Sequence, residues 1–249
     1  MFEICNLKFK NILDIEALTI DRPITCIIGS SGSGKTTLLK HLNKLYSPDS
    51  GAIIYNGSDL ADIPSVSLRR EVVMLGQNPV IYGGSLEENL QIGLRFSEKL
   101  PASRDRLLNA LEQVKLDKPL DDPCLSLSGG EKQRLCLARV MLMDAEVYLL
   151  DEPSAALDKE TEHFIITNLA DFVIREKKEL IMVTHSEEVS GLYPEGTIRI
   201  ENGPVSYTHL LPGLSLHSGI SIFPHKPDAP CRKNRSSLKA PAHGLYWWG

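Results

Sequence analysis

Two stretches of this sequence carry groups suited to phosphoryl chemistry. Gly29-Ser30-Ser31-Gly32-Ser33-Gly34-Lys35-Thr36 fits the pattern G-x-x-x-x-G-K-[ST]. Average composition gives such a match by chance in about one chain of this length in a hundred. Glycines there let backbone N–H groups turn inward around phosphate oxygens, and a following helix adds positive potential at its N-terminus. Lys35 can bridge the β- and γ-phosphates of a nucleoside triphosphate, and the Thr36 hydroxyl can ligate Mg²⁺. Farther along, Asp151-Glu152 ends the apolar run Val147-Tyr148-Leu149-Leu150. Carboxylates at the C-terminal end of a strand point to the crevice where parallel sheets bind ligands. Side chains alternate along a strand, so the two acids can do different work. Asp151 would hold the Mg²⁺ shell, and Glu152 would polarise the attacking water.

Between these stretches lies Leu127–Arg134, LSGGEKQR. Ser128-Gly129-Gly130-Glu131 is a capping box: Ser128 caps a helix whose third residue, Glu131, reaches back to the cap amide. Leu135, Ala138 and Leu142 would line the buried face of that helix. A capped helix start offers N–H groups and a dipole to an anion. The glycine-rich loop already provides one phosphate site, so a second invites a phosphate from elsewhere, namely from another copy of the chain.

The elements that must position these residues can be read from periodicity. Ile24–Ile28 is a short apolar run ending in glycine, as a buried parallel strand should be. Thr36–Tyr46 would be a helix with Leu38, Leu39, Leu42 and Leu45 on one face, broken by Ser47-Pro48-Asp49-Ser50-Gly51. Ala52–Tyr55 followed by Asn56-Gly57 suggests a small hairpin, and Val72–Leu75 a strand leading to Gln77. Residues 85–145 lack obvious strands and read as a helical insertion, with Leu107, Leu108, Leu111 and Val114 in one stripe. Val147–Leu150, Leu180–Val183 and Thr197–Ile200 return to strand patterns, with a helix carrying Ile165, Leu169 and Phe172 between the first two. The expectation is an α/β fold with a mostly parallel sheet covered on both faces, a small antiparallel β subdomain and a helical subdomain over about 85–145.

With 249 residues and a formal net charge of −5, the chain offers nucleic acid and anionic lipid no broad electrostatic attraction. No apolar run approaches the roughly 20 residues that span a bilayer, and the opening MFEICNLKFK has no signal-peptide character. Cys5, Cys26, Cys124, Cys136 and Cys231 lack metal-ligand spacing and read as reduced, mostly buried thiols. Composition changes after Gly203: the remaining 46 residues hold both tryptophans and four of the seven histidines. Val205–Leu210 can be encoded by GTC TCT TAT ACA CAT CTN, which resembles a transposon-end adapter. Residues 1–203 are therefore expected to form the domain, with 204–249 a disordered or non-native tail.

Over nearly all of residues 1–203 the chain resembles the nucleotide-binding subunit of ABC transporters. GSSGSGKTT, Gln77, LSGGEKQR, VYLLDEP, SAALD and His185 stand in that family's order. The resemblance implies an ABC-type P-loop ATPase that binds ATP and Mg²⁺ and dimerises head to tail, with each ATP between one subunit's Gly29–Thr37 loop and the other's signature. It implies that Ser128, Gly129 and Gly130 contact the partner's γ-phosphate, and that Gln77 senses Mg²⁺ and the membrane subunit. Asp158 would link the two sites, and His185 would steady the γ-phosphate and water. The family stacks adenine on an aromatic near the N-terminus; Phe9 is the candidate, with Phe2 as the alternative.

The implied partners are a homodimer or paired cassette and integral membrane permease subunits, with no nucleic acid. The implied location is cytoplasmic, peripheral on the cytoplasmic face of the membrane. No sustained heptads mark a structural-maintenance ATPase, and one cassette argues against a translation-type protein. A soluble assembly ATPase of the iron–sulfur type is the alternative. Asp121-Asp122-Pro123-Cys124 stands where fused exporters carry a glutamate-bearing motif. Metal or iron export and phosphate import both remain as cargo readings.

Overall fold

The protein is described from a computed structural model, which places residues 1–201 and 205–207. Strands β1 (Phe2–Phe9), β2 (Leu13–Ile20), β4 (Ser50–Tyr55) and β5 (Ser58–Asp59) form an antiparallel sheet ordered β2-β1-β4-β5. The hairpin expected at Asn56-Gly57 joins β4 to β5, with Ile54 opposite Asp59. The second sheet contains β3 (Ile24–Ile28), β6 (Val72–Leu75), β7 (Val147–Asp151), β8 (Glu179–Val183), β9 (Thr197–Ile200) and β10 (Val205–Tyr207). Its order is β10-β9-β3-β8-β7-β6. All its pairings are parallel except β9 with β10.

Period-two alternation divides this sheet between two cores. Tyr148 and Leu150 of β7 and Leu180 and Met182 of β8 face the core shared with the helical segment. Val147, Leu149, Ile181 and Val183 face the antiparallel sheet and helix α1 (Lys35–Leu42). Each strand is thus buried on both faces, and this accounts for its nearly continuous apolar sequence. The one hydroxyl in the middle of β7 is satisfied, because Tyr148 Oη accepts the Ala145 N–H at 3.0 Å.

Helix α2 (Ser65–Glu71) leads into β6. The insertion then contributes α3 (Leu86–Phe96), α4 (Arg104–Gln113) and α5 (Gly129–Leu142). Its two ends are tied together by backbone hydrogen bonds from Leu86 to Asp122, Glu87 to Leu120 and Cys124 to Gly84, all 2.8–3.0 Å. Those bonds fix where the chain enters α5. Helix α6 (Lys159–Arg175) returns to β8, and α7 (Glu187–Leu192) precedes β9.

Two expected helix faces need correction. Leu45 is 49% exposed, because α1 stops at Leu42 and Lys44 turns left-handed at φ 58. Leu108 is 43% exposed while Leu107, Leu111 and Val114 are buried; the i, i+4, i+7 set makes the buried face and Leu108 lies beside it. Strand β10 falls within 204–249, where the sequence shows no strand periodicity; the rest of that tail, with both tryptophans and Cys231, lies outside the described residues. Cys26, Cys124 and Cys136 are free and buried as expected, with burial pushing the Cys26 thiol up to about 12. Cys5 departs from that expectation, being disulfide-bonded.

Candidate functional site

The glycine-rich loop runs from the end of β3 into α1. Gly34 is the N-cap of α1 with φ 101 and makes no side-chain cap. The first-turn amides of α1 therefore have no side chain competing for them, and they face whatever anion the loop holds. A side chain at Gly34 is excluded by space as well as by φ, since a Cβ there would lie 2.6 Å from Leu13 Cδ2. Lys35 is buried and folds back on the loop, donating to Gly29 O at 3.0 Å and Ser30 O at 2.8 Å. Burial lowers its pKa, opposed by the charges of Glu152 and Asp151. Ser33 Oγ is buried without a hydrogen-bond partner among the described residues. Ser31 and Gly32 are exposed at the loop's crest, and Thr37 is half-buried.

The two adjacent acids point to different neighbours. Asp151, the last residue of β7, is buried, and its Oδ1 accepts the Thr36 hydroxyl at 3.0 Å. Burial raises its pKa, with the Glu152 charge acting in the same direction and the Thr36 hydrogen bond against it. Glu152 takes a left-handed φ of 51, a conformation that costs free energy in a non-glycine residue and turns the chain sharply off the strand. Its carboxylate then lies between two side chains from other strand ends. Gln77 Nε2 donates to Oε2 at 3.0 Å, and His185 Nε2 is 3.1 Å from Oε1. Lys35, Thr36, Gln77, Asp151, Glu152 and His185 thus form one connected group at the C-terminal ends of β3, β6, β7 and β8.

The signature residues stand apart from that group. The capping box is present: Ser128 Oγ accepts Glu131 N–H at 3.3 Å, and Glu131 Oε2 accepts Ser128 N–H at 2.8 Å. Among the described residues no hydrogen bond joins Ser128, Gly129 or Gly130 to the phosphate loop or to Glu152. Gly130 instead packs on the loop after β7, where a Cβ would lie 3.1 Å from Ala156 O. That loop ends at Asp158, which caps α6 by accepting Thr161 N–H at 3.0 Å.

Phe9 does not present a face to a base. It is 8% exposed, stacks on Tyr46 at 5.4 Å and meets His41 edge-on at 4.6 Å. Phe2, fully buried, stacks on Tyr55. The side chains that reach the loop are aliphatic: Leu13 Cδ2 and Ile12 Cγ2 lie 2.6 and 3.4 Å from a Cβ built on Gly34, and Ile12 is exposed. Neither carries the aromatic signal of a base-stacking residue.

A groove of about 470 Å³ opens beside Gly76, next to Gln77. Leu45, Tyr82 and Phe96 are exposed apolar residues on its wall. Lys40, Arg69 and Arg139 line it as well, and none forms an ion pair with an acid among the described residues. Arg139 is held by Asn89 O and Val80 O, both at 2.8 Å, and lies over the Tyr82 ring. The surface is therefore apolar with a positive rim.

Residues 18–155 match the family model described as ABC transporter. The rice protein STAR1 is 38% identical over 165 residues; the match covers 64% of this chain and 46% of STAR1. The phosphate import ATP-binding protein PstB of Pyrobaculum aerophilum is 35% identical over 224 residues, covering 80% of this chain and 87% of PstB. Among solved structures, one described as the ATP binding subunit of an ABC transporter superposes with a TM-score of 0.71 at 26% identity. That match covers 82% of this chain and 88% of the other.

Proposed function

The chain belongs to the ABC transporter family, and we propose that it is the ATPase cassette that drives a separate membrane permease through a head-to-tail dimer. ATP binding and hydrolysis come with the family; the residue roles, the Mg²⁺ site and the partners are our proposal. The observation that carries the reading is the bracket on Glu152. Gln77 and His185 hold its two oxygens, and Gln77 stands in the chain between Gly76 and Asn78, which line the groove.

With ATP phosphates in the loop, the amides at the start of α1 receive the β-phosphate. Lys35 exchanges its two carbonyl partners for phosphate oxygens, a gain because charge-assisted bonds to an anion are stronger. Thr36 Oγ1 and the Asp151 carboxylate are hard oxygen donors already 3.0 Å apart. One carboxylate plus substrate phosphates suits Mg²⁺, and Gln77, whose Nε2 already donates to Glu152, would offer its Oε1 as a further ligand. Mg²⁺ there would neutralise charge developing on the phosphates. Glu152 orients a water in line with the γ-phosphorus and takes its proton as the bond to ADP breaks. His185 holds Glu152 on one side and presents its ring toward the γ-phosphate. Ser128, Gly129 and Gly130 supply donors to the γ-phosphate held by the partner subunit, so each ATP bridges two chains and closure is stabilised only while it is intact.

The groove supports a permease rather than a soluble scaffold. Its exposed Tyr82 and Phe96 and its three cations, which have no acidic partner among the described residues, fit a short helical segment with apolar and acidic side chains. A cassette carrying Glu152→Gln, purified from membranes with ATP, is expected to bring down an integral membrane protein. Phe96→Asp should abolish that association. Recovery of a soluble partner instead would overturn the transporter reading.

A further inference from the structure

The capping box that marks the start of α5 creates an electrostatic problem for its proposed role. The first bond within the helix runs from Lys132 N to Ser128 O at 2.9 Å, so the Gly129 and Gly130 amides remain as donors. The Ser128 hydroxyl accepts from Glu131 N–H and keeps its own hydrogen to donate. These three donors suit a phosphate. The Glu131 carboxylate, however, sits in the same turn, and bonds from Ser128 together with the Lys118 charge hold its pKa below the ordinary value. It is ionised at neutral pH, and it places a negative charge beside the position an anion must occupy.

Lys118 answers that charge. It lies in the segment between α4 and α5, and its Nζ is 3.4 Å from Glu131 Oε1. Among the described residues it is the one cation within ion-pair distance of Glu131. The Glu131 side chain is only 21% exposed, and a second subunit would cover it further, which strengthens the interaction at the moment of closure.

We propose that Lys118 is a positioning residue for ATP-driven dimer closure, neutralising Glu131 so that the α5 start can receive the γ-phosphate held by a second copy of this chain. This rests on the head-to-tail dimer proposed for the cassette. Lys118 acts through Glu131.

The test measures the ATP concentration for half-maximal dimerisation of the full chain carrying Glu152→Gln, by light scattering with Mg²⁺. Lys118→Ala should raise it about three- to tenfold, and Lys118→Arg should leave it near the parent value. Glu131→Gln keeps the capping hydrogen bonds without the charge. Added to Lys118→Ala, it should return the midpoint to within about twofold of the parent. A structural role for Lys118 would not be relieved by that second substitution. If Lys118→Ala unfolds, Lys118→Gln, which retains the aliphatic stem, takes its place. No shift on removing Lys118, or a shift that Glu131→Gln fails to relieve, overturns the proposal while leaving the dimer reading intact. Failure of the parent to dimerise with ATP overturns the head-to-tail reading, and with it this one.

Discussion

Gln77 Nε2 lies 3.0 Å from Glu152 Oε2, although 75 positions separate the two residues in sequence. The bond joins the end of β6 to the end of β7 across neighbouring parallel strands. A shift of the segment at Gln77 therefore moves or frees one oxygen of the acid. Glu152→Gln is expected to lower kcat by about a hundredfold or more while preserving ATP binding. Gln77→Ala, which frees the carboxylate without removing it, should cost about tenfold. Single-turnover hydrolysis together with nucleotide titration separates the two. Normal turnover by Glu152→Gln would remove this residue from the role of base.

Lys35 satisfies itself on Gly29 O and Ser30 O before any nucleotide arrives. Lys35→Ala deletes both bonds and the only ammonium in the loop, so ATP affinity should fall about tenfold to a hundredfold. The two released carbonyls lie on a loop open to water, so the melting temperature should move by only a few degrees. Equilibrium binding of a fluorescent ATP analogue and a thermal melt check both parts.

At Gly130 two effects oppose each other. Alanine is a better helix former by about 1 kcal/mol, but its Cβ would press on Ala156 O at 3.1 Å. Relieving that contact costs about the same amount, so stability should hardly change. Geometry should change, because Ala156 lies between Glu152 and Asp158. Hydrolysis is expected to drop severalfold in Gly130→Ala at nearly constant melting temperature; at Gly129 a Cβ meets nothing within 4 Å, and Gly129→Ala should raise the melting temperature.

His41 supplies a pH dependence of stability. Its Nδ1 donates to Thr37 O at 2.7 Å, and its Nε2 is buried without a hydrogen-bond partner among the described residues. Burial lowers its pKa from 6.5, outweighing the Thr37 and Ser47 backbone and the Asp49 charge. As pH falls below 6.5 the unfolded chain takes up a proton that the folded chain refuses. Stability is thus complete above pH 6.5 and declines below it until the folded-state pKa is passed. Stability is expected to fall between pH 7 and pH 5, and His41→Phe should flatten that part of a denaturation profile.

Truncation separates the contribution of β10 from that of residues 208–249. Residues 205–207 pair antiparallel with Ile198–Ile200, the edge of the large sheet. A chain ending at 207 should keep full ATPase activity. One ending at 203 leaves the β9 edge unpaired, so it should melt a few degrees lower and aggregate more readily. Equal stability of the two would mean that the edge needs no cover.

The legible parts of this chain were those with local causes. Strands β3, β6, β7 and β8 could be read because burial on both faces makes their sequences continuously apolar. The capping box could be read because its two bonds span three residues. Leu45 falls outside the helix because the chain turns left-handed at Lys44, a lysine rather than a glycine, so no local residue type marks the helix end. Phe9 is closed to a base for a different reason. Aromatic character says nothing about which way a ring faces, and packing on Tyr46 and His41 closes this one. Lys118 had no motif at all; only the loop between α4 and α5 brings it to Glu131.

The sequence by itself determined the glycine-rich loop, the acidic strand end, the capping box and the alternating α/β order, since each is a run of neighbours whose chemistry is set within a few residues. Tertiary structure decided the rest. It placed Gln77 and His185 on opposite oxygens of Glu152, sent Asp151 to Thr36, set Gly130 against Ala156 and gave Glu131 its counter-charge. Those pairings arise from the order of parallel strands and the docking of the insertion, which depend on how distant segments share one core.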